Sequence, residues 1–325
     1  RYFSTWTHDT AGNALVVQSG FNGGSYLGNS WIMPLQGPSQ HVWTALPNDP
    51  FAGNGRVVGG AAFDPVRQQA LFFGGLPSTG VPLTAFSVLD LSGAPGWQAD
   101  QASSAPETAP AARWGASMVF DSTHNRVVLF GGKDNAGMFN DVWVLSRATA
   151  TAPWVKFSTT GSAPVKRVYH AAVYDAAGQR LIVFGGHDST GVKLADLWAL
   201  DLSGPSTGAW TQLSAGGGPV ARITPVMVHD TVQDRLVLFG GLGATYLNDT
   251  WVWNLAGSGW VQLAPTGTLP TPRYSSRAMF DASLNRMVVV AGLGSGGFTS
   301  QVFALDLTLG LEAWANISTP VAPIM

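Results

Sequence analysis

Two histidines of this sequence stand near groups with which a histidine can do acid–base or metal chemistry. His187 is followed directly by Asp188, and His170 lies seventeen residues before His187. A carboxylate beside an imidazole can orient it as a general base or complete a metal site. Lys133 and Asp134 form a comparable ionisable pair earlier in the chain. These residue types would suit proton transfer on a small substrate, or the binding of a polar ligand. A solvated loop face is the structural alternative.

Six arginines could bind an anion, but their spacing indicates a structural role first. Each lies eight residues before an aspartate, and a glycine follows eleven residues after that aspartate. The motif returns every 51 to 57 residues. A reactive centre is not repeated at constant spacing, whereas a supersecondary unit is. The motifs, whose arginines we call the periodic arginines, are Arg1–Asp9–Gly20, Arg56–Asp64–Gly75, Arg113–Asp121–Gly132, Arg167–Asp175–Gly186, Arg222–Asp230–Gly241 and Arg273–Asp281–Gly292.

Each period has the pattern of short strands joined by turns. An apolar run that ends in glycines, such as RLIVFGG, is typical of a buried strand. An aromatic about eleven residues later lies in alternating segments such as NDVWVLS, and a second tryptophan opens a further strand. No long window has a helical period. We therefore predict an all-β fold, a six-bladed propeller with four antiparallel strands per blade. It would be a single domain over residues 1–325, with repeats beginning near residues 1, 56, 113, 167, 222 and 273.

The glycine pair after an apolar strand, the aromatic and the later tryptophan resemble the kelch repeat, and the resemblance covers essentially the whole chain. Two periods depart from it, because VQSG and VVAG replace the usual ending. The resemblance implies a propeller with the arginine-to-aspartate strand innermost and the tryptophan strand outermost. It does not imply one function, because kelch propellers include peptide binders, sugar binders and enzymes.

The periodic arginines divide by the residue two positions before the strand aromatic. Arg113, Arg167 and Arg222 have an aspartate there, and a guanidinium fork suits a carboxylate. Arg1, Arg56 and Arg273 have asparagine, threonine or glutamine instead. We therefore expect the first three to be paired, with Asp141, Asp196 and Asp249. The other three, with the off-pattern Arg277, are the candidates for a ligand anion.

Aromatic residues add a second group of candidates. Trp114 directly follows Arg113, and Tyr274 occupies the same position after Arg273. Aromatic rings at a channel mouth can stack a sugar or a peptide side chain, although core filling is an equal alternative. Tyr169 lies beside His170 in the loop that enters the fourth innermost strand.

Composition limits the partners and suggests a compartment. Charged residues make up 11% of the chain and the net charge is −2, so there is no basic field for nucleic acid. No apolar run is long enough for a membrane span. The absence of cysteine fits a secreted or periplasmic bacterial protein. The predicted fold resembles that of galactose oxidase in architecture. The copper site of that enzyme needs a cysteine-linked tyrosine, so the absence of cysteine excludes such a site here. We expect no cofactor and no metal, and a monomer. We interpret the chain as a mature or trimmed form.

Two functions remain, and a binding module is favoured over an enzyme. The module would hold a peptide, a glycan or a protein partner on the face that carries the inter-repeat loops and the loops after the glycine pairs. The enzyme would be an isomerase or mutarotase of an acidic sugar, because some bacterial kelch propellers of similar size resemble this chain and have that activity. The turns after each aspartate, on the other face, vary little in length and offer less specificity. The candidate ligand-binding residues are Arg1, Arg56, Trp114, Lys133, Asp134, Tyr169, His170, His187, Asp188, Arg273, Tyr274 and Arg277.

Overall fold

The computed structural model describes residues 3–50, 55–98, 109–149, 152–257 and 259–318. The described residues form strands, turns and loops without a helix. The strands of the first half are β1 (Thr5–Asp9), β2 (Ala14–Phe21), β3 (Tyr26–Pro34), β4 (Thr44–Leu46), β5 (Arg56–Val57), β6 (Gly60–Asp64), β7 (Gln69–Phe73), β8 (Leu76–Pro77), β9 (Phe86–Asp90), β10 (Gly96–Gln98), β11 (Ser117–Asp121), β12 (Arg126–Phe130), β13 (Val142–Ser146) and β14 (Trp154–Thr160).

The second half continues the same pattern. Its strands are β15 (Ala171–Asp175), β16 (Arg180–Phe184), β17 (Leu197–Asp201), β18 (Thr207–Ser214), β19 (Val226–Asp230), β20 (Arg235–Leu242), β21 (Tyr246–Asn254), β22 (Trp260–Leu263), β23 (Thr266–Gly267), β24 (Arg273–Tyr274), β25 (Arg277–Asp281), β26 (Arg286–Val290), β27 (Leu293–Gly294), β28 (Gly297–Phe298), β29 (Val302–Asp306) and β30 (Ala313–Asn316).

The larger sheets are antiparallel meanders of neighbouring strands. The orders are β1-β2-β3-β4, β6-β7-β9-β10 and β19-β20-β21-β22, and β25-β26-β29-β30 with β23 added at its edge. Strands β11 to β18 form one eight-stranded sheet, because β14 and β18 pair in parallel between two meanders of four strands. The meander β1–β4 is contained within residues 5–46, so among the described strands none from the other end of the chain completes it.

The first strands of the meanders surround a central channel. Strands β1, β6, β11, β15, β19 and β25 each contact the next in this order, and β25 contacts β1. Six apolar clusters of the core are each shared by two neighbouring meanders, and one of them joins the β1–β4 meander to the β25–β30 meander. A seventh, smaller cluster contains Val57, Val58 and Trp114. The result is an all-β, propeller-like arrangement.

The second tryptophan of each period explains part of this packing. The rings of Trp154, Trp210, Trp260 and Trp314 each lie 5.0–5.5 Å from a phenylalanine ring of the preceding meander, at the end of the glycine-bounded strand. Such tilted or edge-on pairs add to the free energy of apolar burial. In these four meanders, the tryptophan therefore attaches the meander to the one before it.

Candidate functional site

The loops with the periodic arginines and the loops after the glycine pairs lie side by side. In five places the residue after the arginine pairs in antiparallel fashion with the residue after the glycines. We call the face that these loops form the mouth face. The pairs are Val57–Leu76, Trp114–Lys133, Val168–His187, Ile223–Leu242 and Tyr274–Leu293.

Each described periodic arginine is buried and bonded to the main chain of its own glycine pair. The Nη1 group donates to the carbonyl oxygen eighteen residues later, at 2.9–3.3 Å. This bond sets the arginine-to-glycine interval seen in the sequence. The five buried arginines are Arg56, Arg113, Arg167, Arg222 and Arg273.

Three of these arginines have the expected carboxylate. Arg113 Nη1 lies 2.6 Å from Asp141 Oδ1, and the Arg167 and Arg222 pairs with their aspartates are also bidentate. Burial acts to raise the pKa of each aspartate, but the hydrogen bonds and charge of the arginine outweigh it and lower the pKa. The predicted pairing of Arg113, Arg167 and Arg222 is confirmed.

The same aspartates also explain the tryptophan two residues later. The indole Nε1 of Trp143, Trp198 and Trp251 donates to the aspartate at 2.6–2.7 Å. Where the aspartate is missing, Phe86 and Phe303 stand in place of tryptophan. Trp31, which follows an asparagine, has no partner for its Nε1 among the described residues. At two of the three positions without the aspartate, the tryptophan that would donate to it is therefore absent as well.

Arg56 is not the unpaired cation that its sequence position indicates. Its Nη2 lies 2.9 Å from Asp49 Oδ2, and neither side chain has exposed surface. Gln18 bonds to both residues, and Ser87 accepts a further bond from Arg56. Burial lowers the pKa of Arg56 to about 10, against the opposing charge of Asp49. This corrects the expectation for Arg56, because the acid comes from the connection before the arginine and not from the strand after it.

The remaining candidate arginines differ from one another. Arg273 is buried and bonds to Thr271 and to Gln301 Oε1 at 3.1 Å, without an acid among its described partners. Burial lowers its pKa to about 10. Arg277 donates only to the main-chain oxygens of Ser4 and Ser276. Arg1 lies outside the described residues. Arg273 is thus an interior residue, whereas Arg277 lines a cavity.

His170 belongs to the interior wall of the channel. Its Nε2 lies 2.9 Å from Ser117 Oγ, and its ring meets Phe130 edge-on at 5.1 Å. Burial, and secondly the charge of Arg167, lower its pKa to about 3 against the opposing effect of Asp196. A neutral imidazole at this depth is a poor general base at neutral pH.

His187 and Asp188 do not form an imidazole–carboxylate pair. His187 Nδ1 bonds to the main-chain oxygen of Asp188 at 2.8 Å. The carboxylate of Asp188 instead accepts bonds from Thr190 and from the main chain of Val192, and the Thr190 hydroxyl, as the main cause, lowers its pKa. The imidazole and the carboxylate that an isomerase would need as base and acid are therefore hydrogen-bonded within their own loop and not to each other.

Lys133 and Trp114 do come together. The ammonium group of Lys133 lies 5.2 Å from the centre of the Trp114 ring, which is a cation–π distance. Asp134 turns its carboxylate onto the main-chain N–H groups of Ala136 and Gly137. Its role is to hold the loop that follows Lys133.

Half-buried aromatic rings occupy the centre of the mouth face. Phe3 stacks on Tyr169 at 5.8 Å and meets Tyr274 edge-on at 6.1 Å. Tyr169 lies 5.7 Å from the His187 ring, and burial raises the pKa of Tyr169. We call this surface the aromatic mouth; its residues are Phe3, Trp114, Tyr169, His187, Tyr246 and Tyr274.

A series of hydrogen bonds runs around the channel at the same level, from Phe3 to Ser275. The N–H of Val58, Gly115, Tyr169 and Thr224 each donates to the carbonyl oxygen of the preceding member at 2.7–3.1 Å, starting from Phe3. Ser275 N donates to Thr224 Oγ1 at 3.2 Å. Each member stands two positions after a periodic arginine and has a positive φ, between 44° and 67°. We call this the backbone ring; it consists of Phe3, Val58, Gly115, Tyr169, Thr224 and Ser275.

The opposite end of the channel holds the larger cavity. Its volume is about 600 Å³, and the turns after the aspartates surround it. Its wall includes His8, Phe120, Tyr174, His229 and Phe280. The ligand atoms of Asp175, His229 and Asp234 lie within 4.8 Å of one another, a spacing that suits a metal ion. Arg180 already bonds Asp175 at 2.7 Å, so that carboxylate is neutralised without a metal.

Several residues of these networks were not found from the sequence. Asp49 lies in a connection with no periodic pattern, although it is the only acid between Asp9 and Asp64, and that would have been a usable signal. Arg147 Nε bonds Asp64 at 3.1 Å across two meanders and gave no local signal. Phe3 is the centre of the aromatic mouth, although it is not among the residues that the sequence predicts to bind a ligand.

Comparison with known proteins agrees with this architecture. Residues 147–323, more than half of the chain, match the KLHDC2/KLHL20/DRC7 Kelch-repeats domain, so the chain belongs to this kelch-repeat family. It is 28% identical over 270 residues to Adagio-like protein 3 of Oryza sativa subsp. japonica, covering 79% of this chain and 41% of that protein. It is 32% identical over 184 residues to the Host cell factor homolog hcf-1 of Caenorhabditis elegans, covering 50% and 23%.

The chain spans less than half the length of these curated relatives. Its fold is also similar to the solved structure of YjhT, with a TM-score of 0.73, 16% identity and 97% of each chain covered. At that identity the likeness concerns the fold alone. Within the described part of the chain, no helix has the length and apolar character to cross a membrane.

Proposed function

We propose that the chain is a six-bladed kelch propeller, with four strands per blade, that binds a polypeptide partner at the aromatic mouth. The cyclic contacts of the six first strands and the six shared apolar clusters support the blade count. Membership of a kelch-repeat family supports a role in protein interaction.

The observation that carries the proposal is the continuous row of rings from Tyr246 through Tyr274, Phe3 and Tyr169 to His187. Each ring is half-buried and therefore held in place while one side stays accessible. Rigid aromatic side chains give large contact area for little loss of conformational entropy, and they dominate binding energies at protein interfaces.

The surroundings of the rings suit a polypeptide segment with apolar side chains and a carboxylate nearby. Lys133 beside Trp114 and the exposed Lys166 provide positive charge at the rim. The carboxylates of Asp134 and Asp188 are turned onto their own loops. Lys133 and Lys166 are therefore the charged groups that we propose meet a carboxylate of the partner.

Selection of random peptides displayed on phage, with the wild-type protein immobilised, provides a ligand for the test. Binding of the selected peptides is then measured by fluorescence anisotropy for the Tyr274→Ala and Lys133→Ala variants. We expect Tyr274→Ala to weaken binding by about tenfold or more. Tyr174→Ala, which removes the same side chain from the opposite cavity, is the matched control and should bind normally.

Peptides lost with Tyr174→Ala but kept with Tyr274→Ala would place binding on the other face and overturn the proposal. Binding of glycans from an array, with no peptide selected, would overturn the choice of a polypeptide. The secreted or periplasmic location, the bacterial source and the monomeric state remain predictions.

A further inference from the structure

Directly beneath the backbone ring, the channel contains a second, smaller cavity, which we call the upper chamber. Its volume is about 160 Å³. Val58, Gly115, Tyr169 and Thr224 of the backbone ring form part of its wall, and Arg277 forms another part. The chamber shares Tyr169 with the proposed partner surface, whereas Arg277 is not part of that surface.

Arg277 is an arginine where its repeat position otherwise holds small or apolar residues. The equivalent residues are Thr5, Gly60, Ser117, Ala171 and Val226. Arg277 is partly buried and forms part of the chamber wall. Burial lowers the pKa of Arg277 to about 10, so the group is still charged at neutral pH.

Among the described residues, no carboxylate balances the charge of Arg277. Its donors reach only main-chain oxygens, with Nη2 2.7 Å and Nε 3.1 Å from Ser4 O, and Nη1 3.0 Å from Ser276 O. None of the described residues that line the chamber is acidic. Arg273, a buried arginine without an acid among its described partners, instead bonds to the side chains of Thr271 and Gln301 and does not line the chamber.

An enclosed cation without a counter-ion is costly, because carbonyl dipoles replace only part of its hydration. The chamber wall also contains Ser117 Oγ, which is bonded to His170, and the buried Nδ1 of His170, which has no partner among the described residues. These are neutral polar groups, suited to an ion that keeps a few waters.

We propose that the upper chamber binds one small monovalent anion, of the size of chloride or formate, as the counter-ion of Arg277. The volume limits the choice. A water molecule occupies about 30 Å³ in the liquid, so the chamber has room for such an ion together with a few waters. This inference does not rest on the proposed partner surface.

Thermal unfolding at constant ionic strength tests the proposal. Chloride or formate is exchanged for gluconate, which is too large for the chamber. An anion that binds only the folded state should raise the wild-type Tm by about 2–3 °C for each tenfold increase above its Kd. Arg277→Gln should lose this dependence. Arg180→Gln, whose arginine is partly exposed and paired with Asp175, should keep it, and so should Lys133→Ala at the mouth.

Anomalous diffraction from wild-type crystals soaked in bromide provides a second measurement that needs no variant. A bromide peak in hydrogen-bond range of the Arg277 guanidinium is the expected result. No peak there, or a wild-type Tm that does not change between gluconate and chloride or formate, would overturn the proposal. An unchanged anion response in a folded Arg277→Gln protein would overturn it equally. Loss of peptide binding in Lys133→Ala with a normal anion response would separate the two sites.

Discussion

Asp49 and Arg56 form an ion pair with no exposed surface on either side chain, their closest atoms 2.9 Å apart. The pair replaces the strand-borne aspartate that three other periodic arginines use. Gln18 holds both members, so the pair fastens the connection before β5 to strand β2.

Asp49→Asn should therefore be among the most destabilising single changes in the chain. It leaves the charge of Arg56 buried and uncompensated, and we expect a loss of about 3–5 kcal/mol in the free energy of unfolding. Chemical denaturation at neutral pH measures it. Asp234→Asn is the control, because Asp234 is 55% exposed where it bonds His229, and it should change stability by less than about 1 kcal/mol. Equal effects of the two changes would contradict the expectation.

Arg147→Met should weaken the attachment of the third meander to the second. Arg147 bonds both Asp64 and Gln69, whose own meander lacks the arginine that four other periods have five residues after the aspartate. Losing hydrogen bonds to a buried carboxylate should cost about 2–3 kcal/mol. Arg67→Met, which removes a partly exposed contact to the same aspartate at 3.4 Å, should cost clearly less in the same unfolding experiment.

Gly115→Ala tests the backbone ring. A Cβ at this position would lie 2.1 Å from Val168 Cγ2, on a backbone with φ of +67°. Overpacking and the unfavourable φ together should cost about 2–4 kcal/mol. At Gly137, a Cβ meets nothing within 4 Å, so Gly137→Ala should stay within about 0.5 kcal/mol of wild type. If Gly115→Ala leaves the free energy of unfolding unchanged, the backbone ring can accommodate the added methyl group and the expectation is wrong.

His170 should make stability depend on pH. In the unfolded chain a histidine takes up a proton near pH 6.5, whereas burial lowers the pKa of His170 to about 3 in the folded state. The stability is thus fully present above pH 6.5 and is lost as the pH falls toward 3, by up to about 1.4 kcal/mol per unit. His170→Gln should remove this component, so that the variant gains relative to wild type between pH 7 and pH 4. A constant difference across that range would refute the assignment.

The fold was readable from the sequence because its determinants repeat within each period. The bond from the periodic arginine to a carbonyl eighteen residues later recurs in every described period, and so does the strand it delimits. The site was less readable because departure from the repeat does not imply exposure. His170 breaks the pattern, yet it fills the interior beside Phe130.

Partners from variable connections were also hidden. Asp49 stands seven residues before Arg56, and Arg147 stands 83 residues after Asp64. Neither sequence separation recurs among the ion pairs of the described residues. A rule that searched for a partner at one fixed offset could therefore find Asp141, Asp196 and Asp249 but not these two.

The backbone ring mechanically couples neighbouring blades at the mouth of the channel. Each of its bonds joins one blade to the next, so a radial displacement at Tyr169 strains the links to Gly115 and Thr224 at once. The hydrogen bonds therefore transmit a local displacement to the neighbouring blades. A partner that displaces one blade works against the bonds to its neighbours, so we expect the blades from Phe3 to Ser275 to move together.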